Sequence, residues 1–272
     1  MIARRISLVA LHVFKESVRD RVLYAIAGFA LLLVSASAII GQITAGQDVK
    51  IMKDLGLVTI EMAGVLMTVF IGVGLVSREI DRRSIYSLLA KPLARWEFIV
   101  GKYLGLVLTI FVNVALMTAA FFVMMAWMQW MSPENVRLSW DAPAVDPRLL
   151  IAIGLIAAEL ALLTAIALFF STFSSSALLS IVFTVGFFVV GLESRDLRNF
   201  DQLVVSSPAV LWLVSAIGWL VPAFSEFDVK AQVVWGFPVP FTWVALRLLY
   251  AAIYSGVAVG AAVLAFSKRE FK

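Results

Sequence analysis

Long unbroken apolar runs separated by short clusters of charge dominate this chain. The runs fall at residues 22–41, 58–76, 98–127, 149–170, 177–192 and 241–266. About 20 apolar residues of helix cross a bilayer core, so each run predicts a transmembrane helix, the third long enough to tilt. Ahead of the first run, Ile6, Val9, Ala10, Val13, Phe14 and Val18 recur at helical spacing, with Arg4, Arg5, Lys15 and Arg19 at polar positions. This predicts an amphipathic helix over 1–21 lying in the membrane interface, with His12 as part of it. A polar stretch containing Pro133, Pro143 and Pro147 follows the third run, and a Ser/Thr-rich link over 171–176 joins the fourth to the fifth. Residues 203–221 are apolar enough to cross but are broken by Ser206-Ser207-Pro208. Residues 193–240 are therefore read as an extracytoplasmic connection whose helices dip into the membrane, where non-helical backbone must be covered by protein or face water.

The fold class expected is an all-α integral membrane protein of one domain, with six spans and both termini on one side. Charge tells which side. Five Lys and Arg lie in 1–21, six in 78–102 and three at the C-terminus, fourteen of the 22. The acidic Asp48, Asp54, Glu134, Asp141, Asp146, Glu193, Asp196, Asp201, Glu226 and Asp228 lie opposite. The positive-inside rule then puts both termini in the cytoplasm. A seventh crossing would carry the basic C-terminus to the wrong side. Ala36-Ser37-Ala38 resembles a signal-peptidase site, but the run before it is as long as a span and its leader carries Glu16 and Asp20.

Composition narrows the chemistry. Of 272 residues, 62% are hydrophobic and 15% charged, which excludes a soluble enzyme, a disordered tail and a disulfide scaffold. With no cysteine and one histidine, thiolate nucleophiles, Cys-ligated zinc and iron–sulfur clusters are excluded. The net charge of +4 is a topology signal and needs no nucleic-acid partner to explain it.

The most charged stretch, residues 78–97, follows the second run. Ile80 to Ala90 predicts a short helix that Pro92 stops. Ile85, Leu88 and Leu89 share its apolar side, and Asp81, Arg82 and Lys91 form a charged rim. Such a helix either docks in a partner's groove or tethers two spans.

This stretch resembles the signature of ABC-2 type transporter permeases, E-x-x-x-G-T-φ-x-x-L-L-x-x-P-φ-S-R-x-x-φ-φ-x-G-K-φ-φ-G, with φ apolar. Glu79, Ile85, Leu88, Leu89, Pro92, Leu93, Arg95, Gly101, Lys102 and Gly105 match; Arg83, Ser84 and Ala94 depart from it. Lys15-Glu16 with Arg19-Asp20-Arg21 is similar to the family's N-terminal elbow helix, and 159–173 to its fourth span. Pro222-Ala223-Phe224 with Phe227-Asp228-Val229-Lys230-Ala231-Gln232 resembles a branch serving copper-enzyme maturation, including that of nitrous-oxide reductase.

The resemblance implies a permease subunit in the cytoplasmic (inner) membrane of a prokaryote, paired with a second copy or a paralogous permease on two cytoplasmic ATPase chains. ATP and Mg²⁺ would be held by those ATPases, and no cofactor by this chain. Glu79, Ile80, Asp81, Arg82, Arg83, Ser84, Ile85, Leu88, Leu89, Lys91, Pro92 and Arg95 would form the coupling surface. Gly186 and Gly191 would permit close approach at a dimer interface. Export, or force transmitted to an extracytoplasmic protein, would be the output. A scaffold that docks a cytoplasmic protein through 78–97, or an ATP-independent secondary transporter, are the alternatives from the residues alone.

The remaining candidates are single residues. Gly101-Lys102 is no phosphate-binding loop, because Trp96 and Tyr103 stand where glycine and Ser or Thr are needed. Glu159 lies near the middle of the fourth run, and a carboxyl at that depth faces a cavity or another helix. It is either a substrate, proton or gating contact, or a lock between spans through Asn113, Thr109 or Thr164. Glu61 is expected to be wetted near the outer end of its span, and Arg247 to snorkel or to pair with an outer acid. Gly101-x-x-x-Gly105 and Gly256-x-x-x-Gly260 permit helix packing. Trp127, Trp130, Trp140, Trp212, Trp219, Trp235 and Trp243 suggest an interfacial belt, and Met124, Met125, Met128 and Met131 read as packing rather than as a copper(I) site.

Overall fold

The computed structural model describes residues 2–43, 48–81, 94–138, 140, 142–174, 176–198 and 207–268. Among them every regular element is helical. In chain order these are α1 (Ile2–Val18), α2 (Arg21–Ile43), α3 (Asp48–Asp81), α4 (Arg95–Met131), α5 (Glu134–Arg137), α6 (Leu149–Phe173), α7 (Ala177–Leu192), α8 (Ser194–Arg198) and α9 (Pro208–Leu220). A 3₁₀ turn (Phe224–Phe227), α10 (Lys230–Val234) and α11 (Phe241–Lys268) complete the fold.

Among the described residues, four helices are long and apolar enough to cross a membrane, at Val49–Gly74, Arg95–Met131, Leu149–Phe173 and Phe241–Lys268. Ala209–Leu220 and Phe224–Val234 pass the same test as a pair bent by 43°, the shape of a broken span or of a re-entrant loop. Arg21–Ala36 and Ala177–Leu192 are apolar but shorter.

Local chemistry sets the boundaries. Ser176 Oγ caps α7 by accepting the Leu179 amide at 3.2 Å, and Pro208 opens α9 where its missing N–H costs nothing. α3 departs from the expected 58–76. It begins at Asp48 because Val49, Met52 and Leu57 already share a buried face while Asp54 stays exposed. It also runs on to Asp81, so Ile80 and Asp81, expected to open the short helix over 80–90, belong to the end of the long one.

α6 is the hub. Its buried residues lie all round it, and α3, α4, α7 and α11 pack on it. α2 lies against α3 and α4, and α1 against α4. Chain direction defines two ends of the bundle: α3 finishes and α4 starts at one, while α4 finishes and α3 and α6 start at the other.

Candidate functional site

The end where α4 starts carries the region singled out for coupling. Arg82, Arg83, Ser84, Ile85, Leu88, Leu89, Lys91 and Pro92 lie outside the described residues, as does most of the short helix expected there. What frames them is well defined. Arg95 donates from Nη1 to the Ser267 carbonyl at 2.6 Å, joining the start of α4 to the end of α11. Glu97 is buried, accepts the Ala94 amide at 3.2 Å and lies 3.8 Å from Arg5 of α1. An acid here also favours the exposed N–H groups of the first turn.

α1 does not simply float in the interface. A Cβ on Gly101 would stand 2.7 Å from Val9 Cβ, and one on Gly105 would stand 2.5 Å from the Ala10 carbonyl oxygen and 2.8 Å from Val13 Cβ. The two glycines form a notch in α4 that seats α1 backbone to backbone. Lys102, between them, is buried with its ammonium 4.7 Å from the Phe98 ring. His12 is exposed on α1.

Glu159 is 2% exposed, and its Oε1 has no hydrogen-bond partner. The neighbours expected to lock it are engaged elsewhere: Asn113 donates to the Thr109 carbonyl at 2.8 Å, Thr109 to Gly105 and Thr164 to Leu160. Burial is the first influence on it, ahead of the charges of Glu61, Lys230 and Asp228. It lies ten residues into α6, about 15 Å along the axis, from the end covered by residues 221–240.

Glu61 corrects an expectation. It is not left wetted, but forms an ion pair with Lys230 of α10, both side chains little more than a tenth exposed. Lys230 also lies 3.2 Å from the Asp228 carboxylate. A second pair joins Arg247 of α11 to Glu226, with the guanidinium 4.9 Å from the Trp243 ring centre.

Further contacts clamp residues 221–240 over the bundle. Arg148 donates to the Gly236 carbonyl at 2.5 Å, Lys50 sits 3.9 Å from the Trp235 ring centre, and Tyr250 Oη accepts the Ala223 amide at 2.9 Å. Gly236 takes φ +75°, a left-handed turn open to glycine. Lys53, 1% exposed, donates to the Pro143 carbonyl at 2.8 Å and faces Asp146, tying the 142–148 loop to α3. A cavity of about 530 Å³ opens beside this segment, lined by Ser225, Glu226, Asp228, Gln232, Phe237 and Trp243 among others.

Sequence reasoning missed Lys53, Glu97 and Lys230. The signal for Lys230 was indirect: Glu61 within an apolar run needs a cation, but spacing alone does not choose among the basic residues at that end.

The two glycines proposed for a dimer face differ. Gly191 faces its own chain, because a Cβ there would meet Phe224 and lie 2.7 Å from the Pro222 carbonyl. Gly186 has nothing within 4 Å, beside exposed Val182, Phe183, Val185 and Val189. Met125 is fully buried and Met124 and Met128 pack on the core. Trp127, Trp130, Trp212, Trp219 and Trp235 are exposed, whereas Trp140 and Trp243 pack against the core.

The model of a family described as ABC-2 family transporter protein matches residues 7–192, over half of the chain. No curated protein matches.

Proposed function

The chain belongs to the ABC-2 family of transporter proteins, and we propose that it serves as the membrane subunit of a complex powered by two separate cytoplasmic ATPase chains. ATP and Mg²⁺ bind to those partners. The observation that carries the reading is the family match itself, which spans α1 to α7 and includes residues 78–97.

The geometry around 78–97 supports the mechanism. The segment follows α3 and precedes the notch where α4 seats α1, and Arg95 ties the same place to α11. A displacement of residues 82–93 by an ATPase therefore reaches α3, α4, α1 and α11 together. Two states of the membrane domain follow only if this loop makes different contacts in each.

In the full proposal six helices cross the cytoplasmic membrane of a prokaryote, both termini are cytoplasmic, and two copies or two paralogues associate. Gly186 and the exposed face of α7 are the part of the proposed dimer surface that remains open to a second chain. Export of a substrate, or force delivered to an extracytoplasmic protein, is the output. The narrower kinship with copper-enzyme maturation permeases rests on Pro222 to Gln232, beyond the matched residues.

Affinity capture from native membranes in mild detergent, followed by intact-mass measurement and an ATPase assay, tests the reading. A two-plus-two complex containing a nucleotide-binding subunit is expected. Purification alone, or with a partner that hydrolyses no ATP, would overturn it in favour of a membrane scaffold.

A further inference from the structure

α1 runs along the first part of α4. A Cβ on Gly101 would meet Val9 and the Ile6 carbonyl, and one on Gly105 would meet Val13 and the Ala10 carbonyl. Four residues on one helix thus match four on the other, so the two lie side by side in the same direction. A further step of four brings fully buried Ser17 level with Thr109, fourteen residues into α4. That is about 21 Å along the helix axis.

The face of α1 turned away from α4 mixes cations with apolar residues. Arg4, Leu8, Leu11, Lys15 and Arg19 follow one another at helical spacing and all are exposed, as is Arg21 at the start of α2. Among the described residues, none of Arg4, Lys15, Arg19 and Arg21 has a carboxylate partner. Asp20 is engaged in capping α2, its carboxylate accepting the Val22 amide at 2.9 Å, which leaves the exposed Glu16 against four cations. Over the same stretch α4 exposes Leu104, Leu108 and Phe111. Cations set among outward-facing apolar side chains are stabilised by an anion within reach of their flexible stems.

The sign of the charge selects the occupant. Residues 1–21 and 78–102 hold eleven Lys and Arg against five Asp and Glu, so the same end of a second copy carries the same sign and is repelled. Leu8 and Leu11 within the basic stripe call for an apolar layer beside an anionic one. A phospholipid leaflet supplies both.

We propose that α1 and the α1–α2 junction bind anionic phospholipids, with Lys15, Arg19 and Arg21 holding headgroup phosphates beside α4 and Leu8 and Leu11 meeting the acyl chains. The lipid then bears on the helix seated in the Gly101–Gly105 notch, at the end of α4 that follows residues 82–93. That it tunes an ATP-driven cycle rests on the transporter reading above. Its binding does not, and is measured without ATP or any ATPase.

The purified full-length chain in detergent is offered equal amounts of phosphatidylglycerol and phosphatidylcholine, and the retained lipid is counted by native mass spectrometry. The native chain should retain phosphatidylglycerol about tenfold over phosphatidylcholine. Lys15→Gln, Arg19→Gln and Arg21→Gln together should bring retention to parity. The charge-keeping set Lys15→Arg, Arg19→Lys and Arg21→Lys, and Arg137→Gln at the opposite end, should leave the preference native. Parity in the native chain, or an undiminished preference in the monodisperse triple Gln variant, would overturn the proposal. If that variant does not fold, a photoactivatable phosphatidylglycerol is crosslinked to the native chain and mapped by peptide mass. Attachment concentrated in residues 1–24 is expected, and attachment elsewhere would contradict the site. A triple Gln variant that keeps its lipid preference but no longer captures an ATPase would assign this face to a protein and overturn the lipid site. Lipid preference in a chain that captures no ATPase would retain the site and remove only its role in an ATP-driven cycle.

Discussion

The two ends of the bundle share close packing and differ in how many buried ion pairs are added to it. Where α4 begins, α1 is seated by close backbone approach over Gly101 and Gly105. At the other end, residues 221–240 sink Phe224, Phe227, Val229, Val233 and Val234 into the core, approach Gly191 closely at Pro222 and Phe224, and add Lys230–Glu61, Arg247–Glu226 and Arg148 on the Gly236 carbonyl. Close packing tolerates little displacement, because interiors fill space like crystals. An ion pair can exchange partners while the backbone beneath it stays packed. Both ends are therefore packed, and the second adds buried ion pairs whose partners can exchange.

The largest effect that would break this contrast is steric. Gly105→Val places atoms where the Ala10 carbonyl and Val13 already stand and should cost about 1–3 kcal/mol, the usual range for overpacking. Gly154, with nothing within 4 Å of its added Cβ, is the control and should tolerate alanine without loss. Thermal unfolding in detergent compares the two. Similar midpoints for both variants would mean that the notch does not hold α1.

A smaller effect should follow at the opposite end. Lys53→Met leaves the Pro143 carbonyl without its donor. A loss of about 1–2 kcal/mol is expected from the unpaired group. Hydrogen exchange should rise in the 142–148 loop and stay unchanged in α1. Faster exchange spreading to α1 would show that the two ends are not independent.

The apolar runs made the long helices legible, because a span needs only length and low polarity. The amphipathic N-terminal helix was legible from its spacing, but its seat on α4 was not. Gly101-x-x-x-Gly105 announces that some helix comes close without naming which. The early start of α3 was hidden because Lys50, Lys53 and Asp54 break the apolar count, although Lys53 is buried by a carbonyl 90 residues away. Glu159 was recognisable from depth alone. Its charged surroundings were not, since Glu61 and Lys230 lie 169 positions apart in sequence and meet only after residues 221–240 fold back.

Residues 78–97 are expected to receive force from a cytoplasmic ATPase and to pass it into the end of the bundle where α4 begins. This transfer is tested most directly by ATP hydrolysis and subunit retention in the purified complex after Leu88→Asp, which puts a charge among the apolar Ile85, Leu88 and Leu89. The account predicts that the chain still inserts and folds while the ATPase is lost or its activity no longer responds to the membrane subunit. A complex that assembles fully and hydrolyses ATP at the native, stimulated rate would contradict it.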